Sequence, residues 1–355
     1  MTDLHPKSGP IRVLVVDDSA FMRFSISKRL NGHPNISVVA VARDGKEALE
    51  LIPKFNPDVL TLDVEMPRMD GLSTLKEVMK TYPRPVVMLS SLTSEGTVET
   101  IQALTLGAVD FIAKPAYKTN INEVLDEVVE KVVKAAGAKV WALKRPVALA
   151  KPLVERKIPQ EKKTRAVRNN DKIVVFGTST GGPRALNLVI PALPAELQAA
   201  FVVIQHMPAG FTRSLSERLD NNSSLLVKEG EPGESLEVGK CLVAPGGFHM
   251  VFDNNGKISL NQNPPVHGVR PSVDVTMLSL AQLYGDRTIG VILTGMGSDG
   301  SSGAALVHSM GGHVIAEAEE SCVVWGMPRS VVAVVAASEV VPLDKISEAI
   351  IKAVE

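Results

Sequence analysis

Short apolar runs alternate with segments of helical periodicity between residue 11 and about residue 135. Continuous apolar runs separated by helices are typical of a parallel sheet that is covered on both faces. The pattern predicts a five-stranded, doubly wound α/β domain of strand order 2-1-3-4-5. The predicted strands are IRVLVVDD, ISVVAVA, DVLTLDVE, PVVMLSS and DFIAKP.

The alternation resumes near residue 171. The runs KIVVFGTS, AAFVVIQH, TIGVILTG and HVIAEA read as buried strands, and SVDVTMLSLAQL and GAALVHSM read as helices between them. Residues 225–262 interrupt this pattern with the Pro-Gly and Asn-Gly punctuation of hairpins. We therefore predict a second doubly wound, mainly parallel α/β domain that carries a small antiparallel hairpin insert.

Residues 136–170 separate the two domains and follow neither pattern. They contain ten Lys and Arg, two Glu and three Pro. Composition favours a solvated connector over a basic docking tether. The predicted organisation is a domain at 1–135, a basic linker at 136–170 and a domain at 171–355.

Composition narrows the class of protein. The chain has 355 residues, of which 45% are apolar and 22% charged, and its apolar runs are shorter than a membrane span requires. There is no secretory signal pattern, and two cysteines, Cys241 and Cys322, cannot form a disulfide framework. We expect a cytoplasmic protein without membrane insertion. The net charge of −1, with no basic aromatic face, argues against nucleic acid as a partner.

Acidic side chains follow two strands of the first domain. Asp17 and Asp18 end the first predicted strand, Asp63 lies near the end of the third, and Lys114 follows the fifth. The carboxyl ends of these strands meet at one crevice, and three carboxylates there suit Mg²⁺. A carboxylate beside Mg²⁺ and a lysine is also placed to accept a phosphoryl group.

At these positions the first domain resembles the receiver domains of response regulators. The resemblance implies that a histidine kinase phosphorylates Asp63, that Asp17, Asp18 and Asp63 bind Mg²⁺, and that Lys114 contacts the phosphoryl group.

Two further residues match receiver positions that respond to phosphorylation. Ser90, at the end of VVMLS, matches the hydroxyl switch residue, and Phe111 matches the aromatic residue that moves with it. Phenylalanine in place of the frequent tyrosine keeps the packing role and loses the hydroxyl.

The stretch GTSTGGP, residues 177–183, has two interpretations. It fits the G-x-S-x-G turn that exposes a nucleophilic serine, here Ser179. It equally fits a glycine-rich anion cradle at a helix N-terminus, although it lacks the dinucleotide and Walker spacings.

A base and a carboxylate at other strand ends favour the first interpretation. His206 closes FVVIQH, and Asp299 lies in TGMGSDG just past another apolar strand. Together with Ser179 they fit a nucleophile, base and orienting acid. His308, inside a predicted helix, and His313, at the start of a strand, rank below His206. The same TGMGSDG loop could place the backbone amide of Met296 at the oxyanion position.

The second domain resembles the catalytic domain of the protein-glutamate methylesterases of bacterial chemotaxis, through GTSTGGP, IQHMP, VAPGGFHM, RPSVDV and GVILTGMGSDG. The resemblance implies catalysis by Ser179, His206 and Asp299 without a cofactor at the hydrolytic site. Thr180 is a second hydroxyl that could assist, and Thr178 replaces a common alanine.

The resemblance also implies the reaction and the partners. The substrate is a glutamyl methyl ester on chemoreceptors, the methyl-accepting chemotaxis proteins, and a chemotaxis histidine kinase is the phosphodonor. Deamidation of receptor glutamines is implied as well. We further hypothesise that the receiver covers the Ser179 edge until Asp63 is phosphorylated.

Two other classes of protein stay open at the level of sequence. One is a response regulator with a DNA-binding output, against which the absence of a helix-turn-helix pattern argues. The other is a scaffold that keeps the fold without catalysis. Such a protein would be expected to lose Ser179, His206 or Asp299, and this sequence keeps all three. Arg270, in RPSVDV, is a further candidate for a contact with the substrate.

Overall fold

The computed structural model describes residues 9–91, 93–114, 121–140, 162–334 and 336–355. The chain divides into two units, Met1–Lys144 and Arg145–Glu355. Of the predicted linker, residues 141–161 lie outside the described residues. Within the described ranges, no helix combines the length and the apolar character needed to cross a bilayer.

A parallel sheet of order β2-β1-β3-β4-β5 forms the first unit. Every residue of β3 (Val59–Asp63) and β4 (Val86–Ser90), two of the three inner strands, is buried, because helices cover both faces. The predicted fold class and strand order are confirmed. The strands are β1 (Ile11–Val16), β2 (Ile36–Ala42), β3 (Val59–Asp63), β4 (Val86–Ser90) and β5 (Asp110–Ala113). The helices are α1 (Ala20–Asn31), α2 (Gly45–Phe55), α3 (Gly71–Thr81), α4 (Ser94–Leu106) and α5 (Ile121–Ala136).

Polar side chains fix where the helices of the first unit begin. Asp44 accepts a hydrogen bond from the Glu47 backbone N–H at the start of α2, and Asp70 accepts one from Ser73 at the start of α3. Each bond satisfies a backbone donor that the helix itself leaves unpaired. These two aspartates are therefore structural and stand apart from the acidic cluster.

The second unit contains a seven-stranded parallel sheet of order β16-β15-β14-β7-β8-β11-β9. Its strands are β7 (Lys172–Thr178), β8 (Ala199–Gln205), β9 (Leu226–Glu229), β11 (Lys240–Val243), β14 (Thr288–Ile292), β15 (His313–Glu317) and β16 (Glu339–Val341). Its α-helices are α6 (Gly182–Val189), α7 (Phe211–Asn222), α8 (Val273–Tyr284), α9 (Ser301–Ser309), α10 (Met327–Ala333) and α11 (Ile346–Val354).

The antiparallel insert is smaller than the interruption in the sequence. Strands β12 (His249–Phe252) and β13 (Ile258–Asn261) form the predicted hairpin. Two other runs in the interval 225–262, β9 and β11, instead extend the parallel sheet, because KCLV is buried throughout like the other internal strands. Strand β6 (Arg165–Ala166), within the predicted linker, pairs with β10 (Glu237–Val238).

Strand order in the second sheet reverses between β7 and β14. Connections from β7 run through β8 toward one edge, whereas those from β14 run through β15 toward the other. A crevice opens outside the carboxyl ends of the strands at such a point, and ligands of doubly wound folds collect there. The residues that follow β7, β8 and β14 therefore define the candidate site.

Candidate functional site

Ser179 follows the last residue of β7 and begins a tight turn into α6. The turn is closed by a hydrogen bond of 2.8 Å from the Gly182 N–H to the Ser179 carbonyl. Gly181, the third residue of the turn, has φ of 81° and ψ of −8°, values that a type II turn requires and that glycine adopts without strain. The turn leaves Ser179 partly exposed while its neighbours Thr178 and Thr180 are buried.

The loop after β14 lies directly against this turn. The Ser179 N–H donates to the Thr294 carbonyl at 3.1 Å. A side chain at Gly295 would place its Cβ 2.8 Å from the Cβ of Ser179, so glycine is required for this approach. The close packing fixes the Ser179 backbone relative to the loop that also carries Met296 and Asp299.

His206 stands at the equivalent position on the neighbouring strand. Thr178 of β7 pairs with Gln205 of β8, and the His206 N–H donates to the Thr178 carbonyl at 3.1 Å. Ser179 and His206 thus each follow paired residues of adjacent strands, whose backbones lie ~4.8 Å apart in a sheet. The structure brings these two predicted residues together at the same sheet edge.

His206 and Asp299 form a buried pair. The His206 Nε2 lies 2.8 Å from the Asp299 Oδ2, and the two side chains are 9% and 2% exposed. Burial alone would raise the pKa of Asp299, but the hydrogen bond and charge of His206, with backbone N–H groups of Asp274 and Val273, lower it below its usual value. Asp299 is therefore a carboxylate that accepts from Nε2–H, which leaves Nδ1 of the neutral imidazole as the basic nitrogen.

The N-terminus of α8 holds the Asp299 carboxylate in place. Its Oδ1 accepts from the Ser272 hydroxyl at 2.8 Å and the Asp274 N–H at 3.0 Å, and its Oδ2 accepts from the Val273 N–H at 2.7 Å. Helix N-termini favour negative charge because their first N–H groups have no partner within the helix. Sequence reasoning missed this role of Ser272, although a serine directly before the helical run VDVTM has the pattern of a helix N-cap.

Gln205 was also missed. Its buried amide Nε2 donates to the carbonyls of Ser179 at 3.0 Å and His206 at 3.1 Å. Its Oε1 accepts from the Thr178 hydroxyl at 2.6 Å. Thr178 therefore contacts the group that bridges the two strand ends. The sequence signal that could have pointed to Gln205 is its position as a polar residue at the end of the apolar run FVVIQ.

The two predicted assisting groups lie on the same turn and loop. The Thr180 carbonyl accepts from the Thr294 hydroxyl at 3.0 Å. Met296 is 41% exposed and follows Gly295, which packs on Ser179. Among the described residues, the Met296 N–H has no hydrogen-bond acceptor.

A fully buried carboxyl supports this loop from beneath. Glu317, the last residue of β15, accepts from the Thr294 N–H at 2.8 Å and the Ser321 hydroxyl at 2.9 Å. Burial raises the pKa of Glu317 to about 7, against the lowering effect of these hydrogen bonds and of the Arg184 charge. The loop that holds the Ser179 N–H is thus supported by a carboxyl group that titrates near neutrality.

The remaining polar candidates have other places in the fold. His313 begins β15, at the amino-terminal edge of the sheet, and His308 lies in the last turn of α9. The Arg270 Nη1 donates to the carbonyls of Gln262 and Asn263 at 2.8 and 2.9 Å. Arg270 therefore anchors the segment after the hairpin.

The acidic cluster of the first unit is assembled where the order of its strands reverses, between β1 and β3. Lys114 Nζ lies 2.6 Å from Asp63 Oδ2 and 3.2 Å from Asp17 Oδ2. One oxygen from each of Asp17, Asp18 and Asp63 can be chosen so that all lie within 4.8 Å of one another. Burial raises the pKa of Asp63 to about 6, with Lys114 lowering it and Asp17 raising it. Burial likewise raises the pKa of Asp17.

This charge balance fits a divalent cation. Two buried carboxylates face one ammonium group, and Asp18 adds a third, exposed carboxylate. Oxygen ligands in this number, with room for water on the exposed side, suit Mg²⁺. The donor set therefore fits the predicted metal.

Ser90 and Phe111 lie on the two strands beside this cluster. Ser90 ends β4, is fully buried and donates to the Gly96 carbonyl at 3.0 Å. The Phe111 ring is also buried, and Lys131 Nζ lies 5.1 Å from its centroid. The aromatic ring is thus held inward, beneath an ammonium group.

Known proteins match both units. A family model described as CheB methylesterase matches residues 174–350, and one described as response regulator receiver domain matches residues 13–126. A relative from Symbiobacterium thermophilum is 50% identical over 97% of both chains. One from Pyrococcus horikoshii is 45% identical over 97% of this chain and 94% of the relative. Both are named protein-glutamate methylesterase/protein-glutamine glutaminase. The crystal structure of the Thermotoga maritima CheB methylesterase catalytic domain covers 51% of this chain and 98% of its own, with 50% identity and a TM-score of 0.50.

A receiver unit followed by an α/β unit with this site defines a response regulator whose output is a hydrolase. The chain belongs to the CheB methylesterase family and carries the receiver domain ahead of the methylesterase domain.

Proposed function

We propose that the second unit is a serine hydrolase that demethylates glutamate methyl esters on chemoreceptors and releases methanol, in chemotactic adaptation. The observation that carries this proposal is the buried His206–Asp299 pair at the sheet edge where Ser179 follows the adjacent strand. The names of the relatives support the choice of ester.

In the proposed reaction the Ser179 Oγ attacks the ester carbonyl while Nδ1 of His206 takes its proton. Asp299 stabilises the imidazolium through Nε2. Collapse of the tetrahedral intermediate breaks the bond to the methoxy oxygen, which takes the proton from His206 and leaves as methanol. Water then attacks the acyl-enzyme with His206 again as base, and this step releases glutamate and free Ser179.

The Met296 N–H is the oxyanion donor we propose. It lies on the loop that packs on Ser179, and no described residue accepts its hydrogen bond. Such donors stabilise the tetrahedral intermediate because charge develops on the carbonyl oxygen only during reaction. Thr180 is proposed to shape the same turn.

We also propose deamidation of receptor glutamines at this site. A glutamine side chain would form the same acyl-enzyme, with ammonia in place of methanol as the leaving group. The relatives' names include this second activity.

Phosphorylation of the first unit is proposed to regulate the second. A chemotaxis histidine kinase would donate the phosphoryl group to Asp63, with Mg²⁺ held by Asp17, Asp18 and Asp63 and neutralising the phosphoryl oxygens. Lys114 would contact those oxygens, and Ser90 and Phe111 would respond to them. The reaction is proposed to take place in the cytoplasm, where both proposed partners would meet this protein.

Methanol release from methylated receptor membranes tests the hydrolase. The Ser179→Ala variant should release none, and a serine-directed phosphonate should label the unmodified chain at Ser179 in a reaction that requires His206. Ser309→Ala, at an exposed serine on α9, is the matched control and should keep full activity. Methanol release by Ser179→Ala at the unmodified rate would disprove the assignment.

A further inference from the structure

The buried amide of Gln205 joins the two strand ends that carry the nucleophile and the base. Its two N–H groups are both used, one on the Ser179 carbonyl and one on the His206 carbonyl. The regular ladder between β7 and β8 ends with the bond from the His206 N–H to the Thr178 carbonyl. Beyond that point the Gln205 side chain supplies the hydrogen bond across to the Ser179 carbonyl, while its second N–H holds the carbonyl of its own neighbour His206.

An amide is the group that this position requires. Two carbonyl oxygens must be served by two donors on one planar group, and the oxygen of the same group must accept from the Thr178 hydroxyl at 2.6 Å. The reverse orientation of the amide would point its oxygen at both carbonyls. The network therefore fixes the orientation of Gln205.

The surrounding packing is built around this amide. Gln205 is 2% exposed, and a Cβ at Gly182 would lie 2.0 Å from its Oε1. From the opposite side, the Ser179 N–H is held by the Thr294 carbonyl at 3.1 Å. The backbone of Ser179 is thus fixed through its N–H by one neighbouring strand end and through its carbonyl by the other.

We propose that Gln205 is a positioning residue that sets the separation of Ser179 and His206 by tying their backbone carbonyls together, and that the Thr178 hydroxyl orients it. The proposal rests on the proposed hydrolase function. Displacing reacting groups by about 1 Å lowers rates by about 100-fold in other enzymes.

Gln205→Met, which keeps the volume and removes the donors, is the first test. Its kcat for methanol release, per active site titrated with a phosphonate, should fall about 10- to 100-fold with KM within about twofold. Normalising to titrated sites separates positioning from loss of folded protein, since a purely structural role would lower the number of sites and leave kcat per site unchanged. A kcat per site within about twofold of the unmodified chain would overturn the proposal.

Gln205→Glu provides a second test that does not depend on the first variant folding. A carboxylate cannot donate to the two carbonyls, whereas the protonated acid donates to one, so the ratio of variant to unmodified kcat should rise as pH falls. A carboxylate at position 205 would also favour the protonated imidazole of the adjacent His206, which lowers the ratio as pH falls. A rise in the ratio can therefore come only from the donor that the protonated acid restores. A ratio that does not change with pH would overturn the proposal. Gln198→Glu, at an exposed glutamine, is the matched control.

Thr178→Val tests the orienting hydroxyl. It should lower kcat per site by a factor between those of Gln198→Glu and Gln205→Met, and an unchanged kcat would remove Thr178 from the proposal. Failure of the hydrolase function itself is distinguishable, because the unmodified chain would then release no methanol. The rate of phosphonate labelling at Ser179 would in that case still report whether Gln205 positions the serine.

Discussion

Replacing Asp299 by asparagine should abolish most of the activity while leaving the fold intact. Each carboxylate oxygen accepts two hydrogen bonds, Oδ2 from His206 Nε2 and the Val273 N–H, and Oδ1 from the Ser272 hydroxyl and the Asp274 N–H. The NH₂ group of an asparagine must therefore face one of these two pairs of donors.

Both placements of the amide are unfavourable. In the first placement the NH₂ group faces the Ser272 hydroxyl and the Asp274 N–H. The Asp274 N–H then has no acceptor, which lowers the free energy of unfolding by about 1–3 kcal/mol. Facing His206, the NH₂ group forces Nε2 to accept and moves the imidazole proton to Nδ1, so the base toward Ser179 is lost. In a serine protease, the corresponding substitution lowers kcat about 10⁴-fold through the wrong tautomer. We expect a loss of about 10³ to 10⁴ here.

The assay is methanol release from methylated receptor membranes, alongside thermal unfolding of the same preparations. Asp286→Asn, an exposed aspartate of the second unit, is the matched control and should change neither quantity. Ser272→Ala removes one of the four donors to Asp299 and should lower kcat about fivefold, equivalent to about 1 kcal/mol. Asp299→Asn that kept more than a tenth of the unmodified kcat would refute the inferred role of the carboxylate.

Three further predictions concern the proposed phosphoryl acceptor and two groups that support the turn at Ser179. Asp63→Asn should leave basal methanol release unchanged and abolish its response to a small acyl phosphate with Mg²⁺; a response that persisted would exclude this acceptor. Gly182→Ala places a methyl group 2.0 Å from Gln205 Oε1 and 2.8 Å from Thr178 Cβ. It should lower the free energy of unfolding by about 1–3 kcal/mol and reduce kcat. If neither the free energy of unfolding nor kcat changed, the close packing of Gly182 against Gln205 would be contradicted. Because burial raises the pKa of Glu317 from 4.5 to about 7, the folded state keeps a proton that the unfolded chain loses, so stability falls as pH rises across this interval. The expected fall in the free energy of unfolding is about 3 kcal/mol, measured by urea unfolding, and Glu317→Gln should remove it. If the free energy of unfolding of the two proteins depended on pH in the same way, Glu317 would not titrate in this interval.

The sequence could predict those parts of the fold that have a local pattern. The apolar runs bounded by turns predicted the strands β7, β8 and β14. The polar side chains that follow these runs pointed to Ser179, His206 and Asp299. Strands β9 and β11 escaped this reasoning because they are short and flanked by hairpin punctuation. Their membership of the parallel sheet follows from the pairing of β11 with β8 and of β9 with β11, which is a tertiary property.

The supporting groups of the site were hidden for a related physical reason. Ser272 and Gln205 act through hydrogen bonds to partners that come close only when the sheet is complete. A serine before a helical pattern predicts a cap, but the pattern does not say that a carboxylate from a later loop shares that cap. The orienting bonds of Asp299 could therefore be found only in three dimensions.

The position of β14 has a consequence for the biosynthesis of this protein. This strand pairs with β7, although β7 is made much earlier in translation. A growing chain that has just completed β8 already contains Ser179 and His206, but it has neither the Thr294 carbonyl that holds the serine backbone nor the carboxylate of Asp299. While it is still being made, the chain therefore holds Ser179 and His206 without the groups that fix and orient them, and the site becomes complete only when synthesis has passed Asp299.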